Sequence, residues 1–287
     1  MQVPIATLLR GNKEAKHYED HPSYWDLRAL KSNVQVKRID DVYKVYKRIM
    51  FVSLCLTALL NIKCHEGKTI KVLKTDLWNE GIECATDVIS MINNISNRKI
   101  LFYGMDISHY VAAKAVNRLR YISAVQSSIT HIPFRSSFFD AIFDLSTIDH
   151  VSHKYRKNII KEYFRCLKPK GILLLIADSS NIYSRLAKTL PSKRISKLLA
   201  HSEDSLPENP GTIRARVKEY FNIVQEGCVG LAYPIFRFIF SGRKSRVFKT
   251  LLNRIYVYKV LYSMGSSGIL RKMSFLCRQY FLICRRK

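Results

Sequence analysis

Through the middle of the chain, short continuous apolar runs alternate with segments whose apolar positions recur at helical spacing. Ile70–Thr75, Ile100–Met105, Tyr121–Ser127, Ala141–Leu145 and Ile172–Ala177 are of the first kind and predict strands. Ala85–Ile95, with Val88, Ile89, Ile92 and Ile95 on one face, predicts a helix, as do Tyr110–Leu119 and Lys154–Leu167. Strands that are apolar along their whole length are buried on both faces. Their alternation with helices is the signature of a parallel sheet covered on both sides. The expectation is a doubly wound α/β core at 69–230.

The flanking segments differ. Residues 1–68 predict a helical extension, mostly decoration on the core. Tyr18, Tyr24 and Trp25 sit among charges in Lys16–Leu30, and Asp40–Lys63 carries helix-spaced apolar residues. Its stretch Ile49–Leu60 is too short for a membrane-spanning helix, which takes about 20 residues, so a buried helix is predicted. After the fifth strand, Ser179–Thr212 holds Pro191, Pro207, Pro210 and many serines, and predicts an irregular segment over the sheet edge. Arg214–Tyr220 then predicts a helix and Asn222–Val229 a strand. Residues 231–287 form a third, basic and aromatic-rich part.

Composition adds a partner class. The chain has 287 residues, 47% hydrophobic and 24% charged, which supports a packed core and excludes wholesale disorder. Its net charge of +26 points to anionic partners: nucleic acid, an anionic membrane face or a phosphorylated substrate. From Gly227 to Lys287 there are 13 Lys or Arg and no Asp or Glu. Within 237–264, Val247, Phe248, Leu251, Leu252 and Ile255 fit one helical face ringed by Arg243, Lys244, Arg246, Lys249 and Arg254. A basic amphipathic helix of this kind suits a membrane interface, though it also suits a helix packed on the sheet with lysines as solvent cover. The seven cysteines are scattered without a C-x-x-C pair, so free thiols in a reducing cytosol are expected, with no metal site. The first residues lack a signal-peptide pattern, which again suggests a cytoplasmic location, peripheral to the inner membrane face.

Ligands of open parallel sheets bind beyond the carboxyl ends of the strands. The first strand ends Lys74-Thr75-Asp76, the second Gly104-Met105-Asp106, the third Ser127-Ser128-Ile129, and the fourth Leu145-Ser146-Thr147 followed by Ile148-Asp149-His150. Asp106 is placed to accept both hydroxyls of a ribose, or to cap the helix beginning near His109. Asp149 and His150 stand where a base is wanted for proton removal, His150 as the base and Asp149 as its helper, with His153 a second candidate. A helix cap for Asp149 and a packing role for His150 are the alternatives.

Two segments resemble those of the class I S-adenosylmethionine-dependent methyltransferases. Ile132-Pro133-Phe134-Arg135-Ser136-Ser137-Phe138-Phe139-Asp140-Ala141-Ile142 is similar to the family's L-P-F-x-x-x-x-F-D-x-I. Arg165-Cys166-Leu167-Lys168-Pro169-Lys170-Gly171-Ile172-Leu173-Leu174 is similar to its R-x-L-K-P-G-G-x-L-x-L, with Lys170 at the first glycine. Tyr280–Lys287 looks like the family's last strand. The resemblance implies a Rossmann-like, mostly parallel seven-stranded sheet with helices on both faces, S-adenosyl-L-methionine as cofactor, and a methyl acceptor that is a small molecule, a lipid or a lipid-linked glycan. It implies cofactor contacts for Asp76, Glu80, Gly104, Asp106, Ile107, Ser128, Ile129, Leu145 and Ser146. The sequence departs from the family at Val72–Gly81, which has no glycine before Gly81, and at Ser128, where an acidic residue is common. A non-catalytic binding role on a degenerate fold is therefore an alternative. An RNA methyltransferase is another, but Asp144–Thr147 lacks the base-amine motif Asn-Pro-Pro-Tyr.

Overall fold

The computed structural model describes residues 21–33, 42–63, 67–84, 87–182, 189, 205–230 and 277–287. Seven strands form one sheet: β1 (Ile70–Lys74), β2 (Ile100–Asp106), β3 (Ser123–Gln126), β4 (Phe139–Leu145), β5 (Leu167–Asp178), β6 (Phe221–Val229) and β7 (Gln279–Arg286), in the order β3-β2-β1-β4-β5-β7-β6. All neighbouring pairs are parallel except those of β7, which runs antiparallel to both β5 and β6. The doubly wound sheet read from the apolar runs is present, and each predicted strand falls on an observed one. The fifth strand starts earlier than its apolar run, because Leu167 already pairs with Phe139 across a bulge.

The helices are α1 (Pro22–Asn33), α2 (Val42–Leu60), α3 (Trp78–Gly81), α4 (Val88–Ile95), α5 (His109–Arg118), α6 (Arg156–Cys166) and α7 (Pro210–Tyr220). One sheet face is covered by α2, α4 and α5, the other by α6 and α7. The helix α2 is no decoration. Met50, Phe51, Leu54, Cys55, Ala58 and Leu59 are buried and join the core beneath β4 and β5. Met50, Phe51, Leu54 and Leu59 each contribute about 1.5–3 kcal/mol when fully withdrawn from water, so α2 is part of the fold. No helix among the described residues is long and apolar enough to cross a membrane.

The two family-like segments brace the sheet. Asp140 accepts hydrogen bonds from the Lys71 amide at 2.9 Å and the Lys168 ammonium at 2.7 Å, tying the start of β4 to β1 and β5. Arg165 donates to the carbonyls of Phe134 (2.7 Å) and Ile132 (2.8 Å). Phe134, Phe138 and Phe139 pack around Tyr103.

One cysteine expectation is corrected. Cys228 and Cys277 form a disulfide with a Cα–Cα distance of 5.6 Å. They are 49 residues apart in sequence, but Val229 pairs with Gln279 in the antiparallel β6–β7 ladder, which brings the two sulfurs together. Spacing along the chain carries no trace of this. Cys55, Cys166 and Cys284 are buried thiols and Cys84 is exposed. The amphipathic segment 237–264 lies outside the described residues.

Lys170, at the position of the family's first glycine, is exposed and has φ of 63°. A side chain in this left-handed region costs about 1–2 kcal/mol, of which glycine's greater unfolded-state freedom offsets part. Lys170→Gly is therefore expected to stabilise the protein by about 0.5–1 kcal/mol, measured as a higher denaturation midpoint in urea.

Candidate functional site

The chain runs outward from β1 through β2 to β3, then returns to place β4 on the other side of β1. Ligand crevices open at such a switch point, past the carboxyl ends of the strands. A cavity of about 390 Å³ lies there. Thr75, Asp76, Asp106, Ile107, Ser127, Ser128, Ile129, Ser146, Thr147 and His150 line its floor and walls, while Trp25, Arg28 and Ser32 of α1 and Lys47 of α2 roof it.

The end of β1 is organised by a buried lysine. Lys74 is fully withdrawn from water, and its ammonium meets Glu80 at 2.9 Å and Asp76 at 3.1 Å, while also donating to the Asp76 carbonyl at 2.7 Å. Burial pulls the Lys74 pKa down, but Asp76 and Glu80 outweigh it and hold the ammonium charged well above its ordinary value. Glu80 is buried as well and accepts from the Val88 amide at 3.3 Å; its proton affinity is raised by burial and opposed by Lys74. Asp76 is the exposed member, with one fifth of its side chain open, and it accepts from Thr147 Oγ1 at 3.4 Å. Charges this deep are tolerated only when paired. The ion triplet therefore takes over the turn that glycines would otherwise form.

Asp106, at the end of β2, clamps that turn from the other side. Its two carboxylate oxygens accept from the amides of Leu77 and Ser108, each at 2.9 Å. Burial pushes its pKa up to about 7, against the two amides. The capping role belongs to Ser108, whose hydroxyl accepts from the Val111 amide at 3.1 Å and starts α5. Each Asp106 oxygen keeps lone-pair capacity beyond its amide, and the residue lines the cavity.

At the third strand end, the Ser128 hydroxyl pairs with Thr130 Oγ1 at 2.9 Å and accepts from the Thr130 amide, holding the turn before Ile129. At the fourth, Ser146 sits at φ 77°, a strained position for a residue with a side chain. Its hydroxyl donates to Asp149 at 3.1 Å and accepts from Gln279 at 3.0 Å. Asp149 and His150 lie on a single 3-10 turn, Ile148–His150. Asp149 is fully buried and turned away from the cavity lining; besides Ser146 it accepts from Ser205 at 3.3 Å, and burial and Asp178 raise its pKa. His150 lines the cavity and meets the Trp25 ring edge-on, with centroids 5.3 Å apart. His153 lies apart from it, beside Glu208 at 3.5 Å.

Of the predicted contact residues, Asp76, Asp106, Ile107, Ser128, Ile129, Ser146 and His150 reach the cavity. Glu80, Gly104 and Leu145 stand behind the wall. At Gly104 a Cβ would lie 2.6 Å from Leu77 Cδ2, so any larger residue would make the Leu77 side chain shift. Thr75, Trp78, Ser127 and Thr147 are lining residues that the strand ends brought close to notice but did not single out. Trp25, Arg28 and Lys47 had no signal, because nothing local shows which way an N-terminal helix will lie. Among the described residues, no group of three or more His, Cys, Asp or Glu is placed to hold a metal.

Comparison with known proteins identifies the scaffold. Residues 84–175, about a third of the chain, match the family described as "Methyltransferase domain". No curated protein matches the chain in sequence. Among solved structures, the fold is similar to the cyclopropane synthase MmaA2 from Mycobacterium tuberculosis, at 14% identity and TM-score 0.54 over 94% of this chain and 98% of that one. It is also similar to the N-methyltransferase NodS from Bradyrhizobium japonicum WM9, in complex with S-adenosyl-L-homocysteine, at 11% identity and TM-score 0.52 over 91% and 97%. The fold is thus similar to that of these two solved structures, one of them a methyltransferase. Both segments whose sequence resembled the family lie inside the residues 84–175 that match the methyltransferase-domain description. The ion triplet at Lys74–Glu80 lies just outside them.

Removing one partner from a buried ion pair leaves an uncompensated charge and costs about 3–5 kcal/mol. Glu80→Ala is expected to lose about that much unfolding free energy in a urea titration; a change within experimental error would mean that Asp76 alone suffices for Lys74.

Proposed function

We propose that the chain is an S-adenosyl-L-methionine-dependent methyltransferase acting on a small-molecule, lipid or lipid-linked glycan acceptor, at the cytoplasmic face of a membrane. The observation that carries the cofactor assignment is Asp106: a buried carboxylate at the end of β2, held by two backbone amides and lining a cavity at the switch point. The cavity volume of about 390 Å³ lies in the range of small-ligand sites, and its donor set fits the group. Asp106 would accept the ribose hydroxyls through the lone pairs its two amide partners leave open. Ile107, Ser128 and Ile129, which line the same cavity, would hold the adenine. Asp76, the open member of the ion triplet, receives the ammonium of the amino-acid end. Glu80 acts through Lys74 by keeping that carboxylate in place, and Gly104 and Leu145 shape the wall.

The cofactor, when bound, supplies an electrophilic methyl group. What the chain adds is position and, for a hydroxyl acceptor, a base. His150 holds the acceptor proton as it leaves, and Trp25 fixes its ring. Asp149 is a positioning residue: with Ser146 it pins the 3-10 turn that carries His150. A non-catalytic binding role is the second reading, and the glycine-free turn around Lys74 is the observation in its favour.

Calorimetric titration with S-adenosyl-L-homocysteine tests the assignment. Wild type is expected to bind, and Asp106→Asn to bind more weakly by about 1.5–3 kcal/mol, the worth of hydrogen bonds to a charged group. The charged form of Asp106 is present above its pKa of about 7, so affinity is expected to fall about tenfold from pH 8 to pH 6. No binding by a folded wild type at millimolar ligand would leave the non-catalytic role. The membrane location has its own test. Co-sedimentation with vesicles containing anionic lipid is expected and should be lost in high salt; equal recovery with neutral vesicles would remove it.

A further inference from the structure

The roof of the cavity carries charge that the cofactor assignment leaves without a role. Helix α1 is fastened by Asp26, whose carboxylate accepts from the Ser108 hydroxyl and from the Tyr110 amide at 3.1 Å. Fixed in this way, α1 turns Trp25, Arg28 and Ser32 toward the cavity, residues three and four apart on one helical face. The Arg28 guanidinium lies over the Trp25 ring at 5.3 Å, and the Trp25 ring meets both His150 (5.3 Å) and Trp78 (6.2 Å). Arg28 is thereby connected through one aromatic ring to the proposed base.

The second roof cation is Lys47 of α2. Its ammonium lies over the Phe51 ring at 5.0 Å, and among the described residues it has neither an ion pair nor a hydrogen bond. Burial lowers its pKa. Asp178, Glu83 and Asp149 act from β5, the turn after α3 and the 3-10 turn to raise it, and Arg278 acts beside them to lower it. A lysine that lines a cavity with no bonded anion among the described residues makes poor use of its charge unless a ligand brings the anion. Helix α2 packs on β4 and β5, which puts Lys47 on the side where His150 follows β4, whereas Asp106 and Ser128 stand at and just past the ends of β2 and β3. Charge alone also separates roof from floor: the open carboxylate Asp76 is at the end of β1, below, already engaged by Lys74.

We propose that Arg28 and Lys47 form an anion subsite that receives a phosphate or carboxylate group of the methyl acceptor. The subsite rests on the methyltransferase assignment for its purpose, and it narrows the acceptor class to one bearing an anionic group within reach of His150. A guanidinium offers a planar fork and an ammonium a compact point charge, a pairing suited to a phosphate or diphosphate.

Inorganic pyrophosphate is the probe. The full-length chain is titrated by calorimetry with and without saturating S-adenosyl-L-homocysteine, as wild type, Lys47→Met, Arg28→Gln and Lys157→Met. Lys157 is an exposed lysine of α6 paired with Glu219, away from the cavity, and controls for general attraction to a basic chain. Saturable binding is expected in wild type and in Lys157→Met, weakened at least tenfold in each roof variant, with affinity for S-adenosyl-L-homocysteine changed less than twofold. Equal pyrophosphate affinity in all four proteins overturns the subsite, as does no saturable binding. Weakened S-adenosyl-L-homocysteine binding with unchanged pyrophosphate binding overturns it too, and gives the pair to the cofactor's carboxylate. If S-adenosyl-L-homocysteine fails to bind wild type, the cofactor assignment falls while the pyrophosphate series still decides the subsite. Should Lys47→Met not fold, competitive acetylation of wild type replaces it: Lys47 is expected to be protected by pyrophosphate, and absence of protection overturns the proposal.

Discussion

The buried ammonium of Lys74 is the constraint on which the site depends. It stands at the end of β1, the strand that pairs with β2 on one side and β4 on the other, so whatever satisfies it also shapes the crevice between them. A charge with no access to water must be met by opposite charge at close range. Asp76 and Glu80 meet it from the same turn, and their backbone follows. Leu77 is thereby brought to Asp106 and against Gly104, and the short helix α3 begins. A glycine-rich turn makes its bend by being small; here an ion triplet makes it by being neutral overall to within one charge. The cost is rigidity, and the gain is that Asp76 is left open toward the cavity with its orientation fixed.

The second determinant is the N-terminal roof. Two helices that precede the sheet in sequence close over its carboxyl edge, one by burying an apolar face on β4 and β5, the other by a carboxylate that binds the start of α5. Through them the cavity acquires Trp25, Arg28 and Lys47, none of which belongs to a strand end. The strand-end wall and the roof therefore have different origins. The first comes from the parallel sheet, shared with the structurally similar proteins. The second comes from segments outside the matched residues 84–175, and this is where an acceptor would be distinguished.

The fold was legible because its signals are local. Apolar runs such as Ile100–Met105 and Ile172–Ala177 need both faces covered whatever surrounds them, and helical spacing in Ala85–Ile95 identifies its own buried side. Strand-end positions were legible for the same reason, and Asp106, Ser128, Ser146 and His150, which stand at or just past those ends, line the cavity. Sequence also showed that Val72–Gly81 lacks the family's glycines. Only the tertiary structure decided what replaced them, because nothing in the sequence shows that Lys74 will pair with Asp76 and Glu80 or that Lys74 and Glu80 will be buried together. It likewise turned Asp149 away from the cavity while leaving its neighbour His150 on it, joined Cys228 to Cys277 through the antiparallel pairing of β6 with β7, and laid α1 over the crevice. Each of these depends on groups distant in sequence and on the direction a side chain takes after packing. Periodicity and composition carry information about what a segment must bury, but not about which partner it meets.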